Sequence, residues 1–528
     1  MTHRRWFGLL ALCCLLAGPA PLRAQSLRPV RTAGGLVEGT AAPSGVRMFK
    51  GIPLAAPPVG ALRWREPQPA TAWTGTLSAT RFGPRCMQLP IFSDMVFRSN
   101  GMSEDCLYLN VWTPARTARQ RLSVLVYFYG GGFVGGDGSE LRYDGESLAR
   151  RGIVVVTVNY RLGLFGFLAH PELTAESSHH ASGNYGLLDQ AAALRWVRAN
   201  IAAFGGNPDR VTIGGESAGS ASVSAQMASP LARGLIAGAI GESGAMIGRT
   251  LAGVSLAEAE RDGVAFARHV GAASLAALRA LPADSLLRAT DGPGGRLTHL
   301  TVDGYFLPRA PAEIFAAGEQ AHVPLLVGWN SEEASWRELL RAQEPSPQNY
   351  EAALRVRLLE HAGEALRLLP GITTEQVMES GTLLAGAQFI AYGTWKWAEL
   401  QSRTGRRPVY RYYYTHPRPA AKDPVANPPH QGAVHSGEIE YLLGNLATNV
   451  VYNWTPEDFA LSDTMGAYVA NFVKTGNPNG AGLPHWPAAR SGDSVQVMFL
   501  DVRSHAGPFP HEEAFRFLDR INTTNPAR

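Results

Sequence analysis

Residues 204–219 read FGGNPDRVTIGGESAG, and the way the two halves of this stretch meet decides the fold. Arg210 to Gly214 (RVTIG) is a short β-branched run of the kind that forms a buried strand in a parallel sheet. Gly215-Glu216-Ser217-Ala218-Gly219 follows, and small and apolar residues continue to Met227 as a helix. A serine between a strand and a helix sits on a sharp, strained turn that exposes its hydroxyl at the C-terminal edge of the sheet. Glycine two residues before it and two after lets strand and helix approach where a Cβ would intrude. A G-x-S-x-G also arises by chance in a chain with 57 glycines, so the weight rests on the flanking strand and helix.

Taken together, Phe204-Gly205-Gly206, the spacing and the pentapeptide resemble the active-site serine signature of the type-B carboxylesterase/lipase family. This is the cholinesterase-like and para-nitrobenzyl-esterase-like branch of the α/β-hydrolases. Two further stretches carry the same resemblance: FKGIPLAAPPVGALRWREPQPATAW, residues 49–73, and SEDCLYLNV, residues 103–111. The likeness runs from about Val30 to the C-terminal region. It implies an α/β-hydrolase fold, a mostly parallel central sheet flanked by helices with a helical cap region.

The remaining apolar runs fit such a sheet. Leu122 to Tyr129 (LSVLVYFY), Ile153 to Tyr160 (IVVVTVNY), Pro324 to Asn330 (PLLVGWN) and Val409 to Tyr414 (VYRYYY) each read as a buried strand. Val409 to Tyr414 reads as the last strong one. Val30 to Glu38 and Val46 to Phe49 suggest a small antiparallel N-terminal sheet, and the proline-rich residues 49–73 an ordered loop without regular structure. Gly183 to Gly206 has helical spacing and feeds the serine strand. Leu251 to Ala289 and Tyr350 to Leu400 are helical, and the former is expected to cap the site.

The run Leu122–Tyr129 ends in Gly130-Gly131-Gly132-Phe133. Three consecutive glycines weaken any strand or helix, so their use is backbone conformation or close approach. Acyl transfer needs N–H groups aimed at a developing oxyanion, and glycines let the main chain come that near. An ordinary flexible turn is the alternative for the tract alone. By resemblance, the donors are the N–H groups of Gly131, Gly132 and Ala218.

A triad acid is expected at a strand end after the serine, and the base in a later loop. Glu332 and Glu333 follow Asn330, and residue order alone does not choose between them. The resemblance implies the second, Glu333, although Ala334 stands where the family usually has glycine. His435, in AVHSGEIEYLLG (residues 433–444), matches the family's histidine motif together with Glu438 and Glu440; His430 is the nearest competitor. Gly241-Glu242-Ser243-Gly244 imitates the serine motif, but Ala245 replaces its second glycine. By resemblance, Ser243 is a structural serine behind the triad. His179 and His180 lie in a polar loop without a nearby cysteine or carboxylate pattern, so no metal is expected and no cofactor is needed.

The chain has 528 residues, 45% hydrophobic and 17% charged, enough for a large core under a lightly charged surface. Residues 1–24 have a basic start (Arg4, Arg5), an apolar core from Trp6 to Ala17 and a small residue at Ala24, the pattern of a secretory signal peptide. That core is shorter than the ~20 residues a membrane span requires. Residues 25–528 are therefore expected as one exported α/β-hydrolase domain, secreted or periplasmic. Arg4, Arg5 and Arg23 leave with the leader, and the near-neutral remainder suggests no nucleic-acid partner. Cys13 and Cys14 leave too. The remaining pair, Cys86 and Cys106, is expected to form a disulfide in an oxidising compartment, with two buried thiols as the alternative. By resemblance, Cys106 belongs to the family's first disulfide.

The implied function is a serine carboxylesterase that cleaves small-molecule esters through an acyl-enzyme, with Ser217, His435 and Glu333 as triad. A cholinesterase would need an aromatic cage for a quaternary ammonium, and residues 86–106 contain no tryptophan. A non-catalytic adhesion or binding protein of this fold typically lacks triad members, which are all present here. A specialised detoxifying or polyester-cleaving hydrolase shares the chemistry and differs in the pocket built by residues 87–102, 251–300 and 336–369.

Overall fold

The structure, a computed structural model, describes residues 28–248, 250–292, 300–489 and 495–524. The expected signal peptide, residues 1–24, lies outside the described residues. Among these, eleven strands form one sheet: β1 (Thr40–Ala41), β2 (Arg47–Pro53), β3 (Tyr108–Thr113), β4 (Leu122–Phe128), β5 (Val154–Val158), β6 (Gly206–Glu216), β7 (Gly238–Glu242), β8 (Leu325–Asn330), β9 (Val409–Tyr414), β10 (Gln496–Leu500) and β11 (His505–Pro508). Their spatial order is β11-β10-β9-β8-β7-β6-β4-β5-β3-β2-β1. From β10 to β5 all neighbours are parallel, and the antiparallel pairs lie towards the two edges. The central strands read as unbroken apolar runs because both faces are covered: β5, β8 and β9 are buried at every residue.

The strand order places the site. β4 lies between β5 and β6, so the connection leaving β4 runs to one side and the connection leaving β6 to the other. A crevice opens between the C-terminal ends of two such strands. The glycine tract follows β4 and Ser217 follows β6, so both emerge at this switch point. Helix α1 (Tyr185–Asn200) precedes β6, and helix α2 (Ala218–Ala228), every residue of it buried, follows Ser217.

Two expectations are corrected. Val30–Thr32 and Gly35–Glu38 do pair antiparallel, and Thr76–Ser78 joins them, but the run around Phe49 extends to Pro53 and enters the main sheet beside β3. Phe49 and Ile52 are fully buried there, an apolar load that a three-stranded sheet does not cover. Nor is β9 the last strand. β10 pairs with it in parallel and β11 closes that edge. Both are short strands at the margin of the sheet, β11 at its edge, stabilised by pairing rather than by a strong local pattern.

Two acids of the scaffold, Glu104 and Asp189, are each paired with an arginine. Glu104, whose burial would be costly alone, accepts from Arg63 Nε and Nη2, each at 2.6 Å. Arg63 also donates to the Arg279 and Leu281 carbonyls, tying residues 49–73 and 103–111 to the helical stretch around Arg279. Asp189 of α1 is fully buried and accepts three bonds from Arg161, through its backbone N–H at 3.0 Å, Nε at 2.8 Å and Nη2 at 2.7 Å. Burial pushes the Asp189 carboxyl upward in pKa and Arg161 pulls against it. Removing one partner leaves the other as an uncompensated interior charge. Asp189→Ala is therefore expected to lower the unfolding free energy by about 3–5 kcal/mol, read from urea unfolding; a loss below about 1 kcal/mol, the range of an exposed pair, would contradict this account.

Candidate active site

Ser217 has φ +57° and ψ −119°, a conformation that side chains rarely adopt and that costs on the order of 1–3 kcal/mol. The surrounding packing enforces it. A Cβ on Gly219 would stand 2.0 Å from the Phe128 carbonyl oxygen, and one on Gly215 would stand 2.5 Å from the same atom. Strand β4 thus presses against the turn, and only glycine fits on either side of the serine. The Ser217 N–H donates to the Glu242 carbonyl at 2.8 Å, which pins the turn to β7.

The structure brings His435 and Glu333 to this serine. His435 Nε2 lies 3.0 Å from Ser217 Oγ, and His435 Nδ1 lies 2.6 Å from Glu333 Oε2. The other oxygen of Glu333 accepts the Asn330 N–H at 2.7 Å, so the buried carboxylate is fixed from two sides. Adjacent residues of extended chain point to opposite sides, and the two glutamates separate accordingly. Glu332 turns outward, accepts the Gly432 N–H at 2.9 Å and lies 3.5 Å from the half-exposed His430. The Glu332 N–H donates to the Ala433 carbonyl, and Asn330 Nδ2 donates to the Val434 carbonyl, so the acid loop and the histidine loop are stitched together. Ser243 is fully buried and bonds to Glu438 Oε1 at 3.1 Å, away from any open surface.

The glycine tract folds over the serine. Gly131 has φ +101° and its carbonyl accepts the N–H groups of Val134 and Gly135, each at 3.0 Å, closing a tight turn. A Cβ on Gly130 would sit 3.2 Å from Ser217 Cβ, which measures how closely the tract abuts the serine turn. The N–H groups of Gly131, Gly132 and Ala218 meet no backbone or side-chain acceptor among the described residues. Cys86 and Cys106 are joined, closing a loop that lies against this tract. A crosslink over that sequence separation contributes about 3 kcal/mol.

Sequence reasoning did not assign a part to the carboxyl groups beneath the serine. Glu216 and Glu242 are the last residues of β6 and β7, in register with each other, and both are buried. Glu216 Oε1 lies 3.3 Å from His435 Nε2. Burial pushes the Glu216 carboxyl up to about 8 and Glu242 well above its ordinary range. Glu438 rises to about 7 through burial and the nearby Glu333. It is bonded by Asn330 Nδ2 at 2.6 Å. Burial pulls His435 down in pKa, but Glu216 and Glu333 outweigh it, and the net effect is upward. The available signal was polarity against pattern: an acid as the final residue of a strand otherwise read as buried.

Phe389 was also missed. It sits in a π-helical turn, Ala387–Ala391, with its ring 5.1 Å from the His435 ring. It borders a cavity of about 360 Å³ lined by Ile247, Leu251, Leu358, Ile390 and Leu518. Turns of this kind inside helices occur frequently at functional sites. Among the described residues, no group of three or more histidine, cysteine, aspartate or glutamate side chains is arranged to hold a metal ion.

The chain resembles known proteins along nearly its whole length. Residues 26–518 match the model of the carboxylesterase family. The chain is 36% identical to fumonisin B1 esterase of Sphingopyxis macrogoltabida over 92% of this chain and 90% of that protein. It is 37% identical to para-nitrobenzyl esterase of Bacillus subtilis over 89% and 94% respectively. A solved structure of PNB esterase superposes with a TM-score of 0.78 at 34% identity, covering 93% of this chain and 99% of that one. The strand order, the strained serine turn and these likenesses converge: the chain belongs to the carboxylesterase family and is a carboxylic ester hydrolase.

Proposed function

We propose that Ser217, His435 and Glu333 form the catalytic triad of this esterase, acting by two-step acyl transfer. The unbroken Ser217–His435–Glu333 chain, with contacts of 3.0 and 2.6 Å, carries this reading. His435 Nε2 accepts the Ser217 proton as Oγ attacks the ester carbonyl carbon. Glu333 holds Nδ1 protonated, so Nε2 stays free as the base, and stabilises the imidazolium once it forms. The carbonyl oxygen, now an oxyanion, takes hydrogen bonds from the N–H groups of Gly131, Gly132 and Ala218; losing one such donor costs about 3–4 kcal/mol of transition-state stabilisation. His435 gives its proton to the departing alkoxide, and the alcohol leaves. Water then loses a proton to His435 as it attacks the acyl-enzyme, and collapse of the second oxyanion frees the acid and Ser217.

The substrate is a small carboxylic ester with an apolar moiety, supported by the cavity beside Phe389, where Ile247, Leu251, Leu358, Ile390 and Leu518 form an aliphatic wall beside Arg357, Glu360 and His361. Relatives at similar identity carry different substrates in their names, a fumonisin and a para-nitrobenzyl ester. The chemistry is accordingly common to the family and the loops decide the ester. The basic, apolar start of residues 1–24 supports export, with residues 25–528 acting as one domain.

Hydrolysis of p-nitrophenyl esters from acetate to laurate tests the proposal. Turnover is expected to peak at short or medium acyl chains and to fall at least about 10⁴-fold in Ser217→Ala; a Ser217→Ala enzyme with near wild-type turnover would exclude the mechanism. The two glutamates give a second test. Glu333→Gln is expected to lower kcat roughly 10³–10⁴-fold, and Glu332→Gln to stay within about threefold of wild type.

The pH profile supplies a third test. His435 must be neutral to act as base, so kcat/KM is lost as pH falls through its raised pKa. Glu333→Gln removes an anion that favours the imidazolium and lowers that pKa. The acidic limb of the residual activity should therefore move to lower pH, and a move to higher pH would contradict the assignment.

A further inference from the structure

A residue outside every step of that reaction holds the glycine tract from the side. Gln88 follows Cys86 by two positions and is buried, and both ends of its amide are engaged. Nε2 donates to the Gly136 carbonyl at 2.9 Å and to the Cys86 carbonyl at 3.0 Å, while Oε1 accepts the Gly136 N–H at 2.9 Å. A primary amide that donates to and accepts from one backbone residue reproduces, in a single side chain, the pairing of a neighbouring strand. Each of these contacts is costly to leave unmade in the interior, which makes the clamp stiff.

Gly136 is the far foot of the tract. Its φ is +118°, and a Cβ there would lie 2.4 Å from Tyr129 Cδ2 and 2.7 Å from the Gly130 carbonyl oxygen. The two feet, Gly130 and Gly136, therefore touch, and the tight turn of residues 131–135 rises between them. Fixing Gly136 fixes the base from which the Gly131 and Gly132 amides project. The disulfide-closed loop adds two apolar contacts: Met95 lies against Gly131 and Phe92 against Gly135. On the other side Asn159 Oδ1 accepts the Gly138 N–H at 2.9 Å.

We propose that Gln88 is a positioning residue for acyl transfer, through which the loop closed by Cys86 and Cys106 sets the aim of the Gly131 and Gly132 N–H groups at the oxyanion. The inference rests on the reading that those amides hold the oxyanion. Aim matters because a misplacement of about 1 Å at a reacting centre costs up to roughly 100-fold in rate. A purely structural glutamine would change stability and leave turnover by the folded enzyme alone.

The experiment uses the full-length enzyme, Gln88→Glu and Gln88→Met, each assayed on p-nitrophenyl acetate and on its thionoester. Sulfur in place of the carbonyl oxygen is a weaker acceptor on a longer bond, so a fitted oxyanion site discriminates against it. Gln88→Glu keeps the size and one acceptor but loses the donors; Gln88→Met loses both, and either folded variant suffices. Active sites are counted with a serine-reactive phosphonate.

Wild type is expected to prefer the ester by at least about 100-fold. In the variants, ester kcat per titrated site should fall roughly 10–100-fold with KM within about threefold, and the ester-to-thionoester ratio should shrink. Wild-type kcat and ratio with only a lower Tm would overturn the proposal, and so would a fall in kcat at unchanged ratio. A wild-type ratio near one would instead remove the oxyanion reading itself, and the proposal with it.

Discussion

The structure depends on one close approach. The carbonyl oxygen of Phe128, at the end of β4, stands 2.0 Å from where a Cβ on Gly219 would be. That contact forces the chain between β6 and α2 through a positive-φ residue, and Ser217 occupies it. It also brings the glycine tract that follows β4 beside the serine that follows β6, because the two strands are neighbours at the sheet's switch point. Serine turn and glycine tract are thus two consequences of the same packing. The strain at Ser217 is offset by a fully buried helix and by strands covered on both faces.

A second constraint is electrostatic. Glu216, Glu242, Glu333 and Glu438 all come to the region under the serine, and none is exposed. Several like charges do not coexist easily in such a place, and Glu216, Glu242 and Glu438 are raised in pKa. Glu216 and Glu242 are pushed up by burial, while Glu333 is held by two directed hydrogen bonds, one from His435 and one from the Asn330 backbone. His435 is raised by its anionic neighbours and keeps about a quarter of its side chain exposed. The buried ion pair Arg161–Asp189 and the Arg63–Glu104 fork lie outside this region and serve the scaffold.

Much of this was legible in residue order. The buried strands β4, β5, β6, β8 and β9 declare themselves as apolar runs, and the serine turn by paired glycines at fixed offsets. Glu333 was not distinguishable from Glu332 by local pattern, since their roles depend on how the extended chain after β8 faces the histidine loop. β10 and β11 were missed because short strands at the margin of a sheet owe their form to pairing, and β2 was assigned to the wrong sheet because burial of Phe49 and Ile52 is a property of the partner surface. Gln88 and Phe389 carry no motif at all. Their parts follow from contacts with residues 48 and 46 positions away in the chain, which no periodicity reports.

The central claim is that packing and the His435–Glu333 pair make Ser217, among all the serines of the chain, the nucleophile. Covalent labelling with a fluorophosphonate followed by peptide mapping tests it most directly. One adduct per chain is expected, on Ser217, with the buried Ser243 of the imitating motif unmodified. An adduct on any other serine, or an unmodified Ser217 in an enzyme whose ester hydrolysis has been abolished by the reagent, would contradict it.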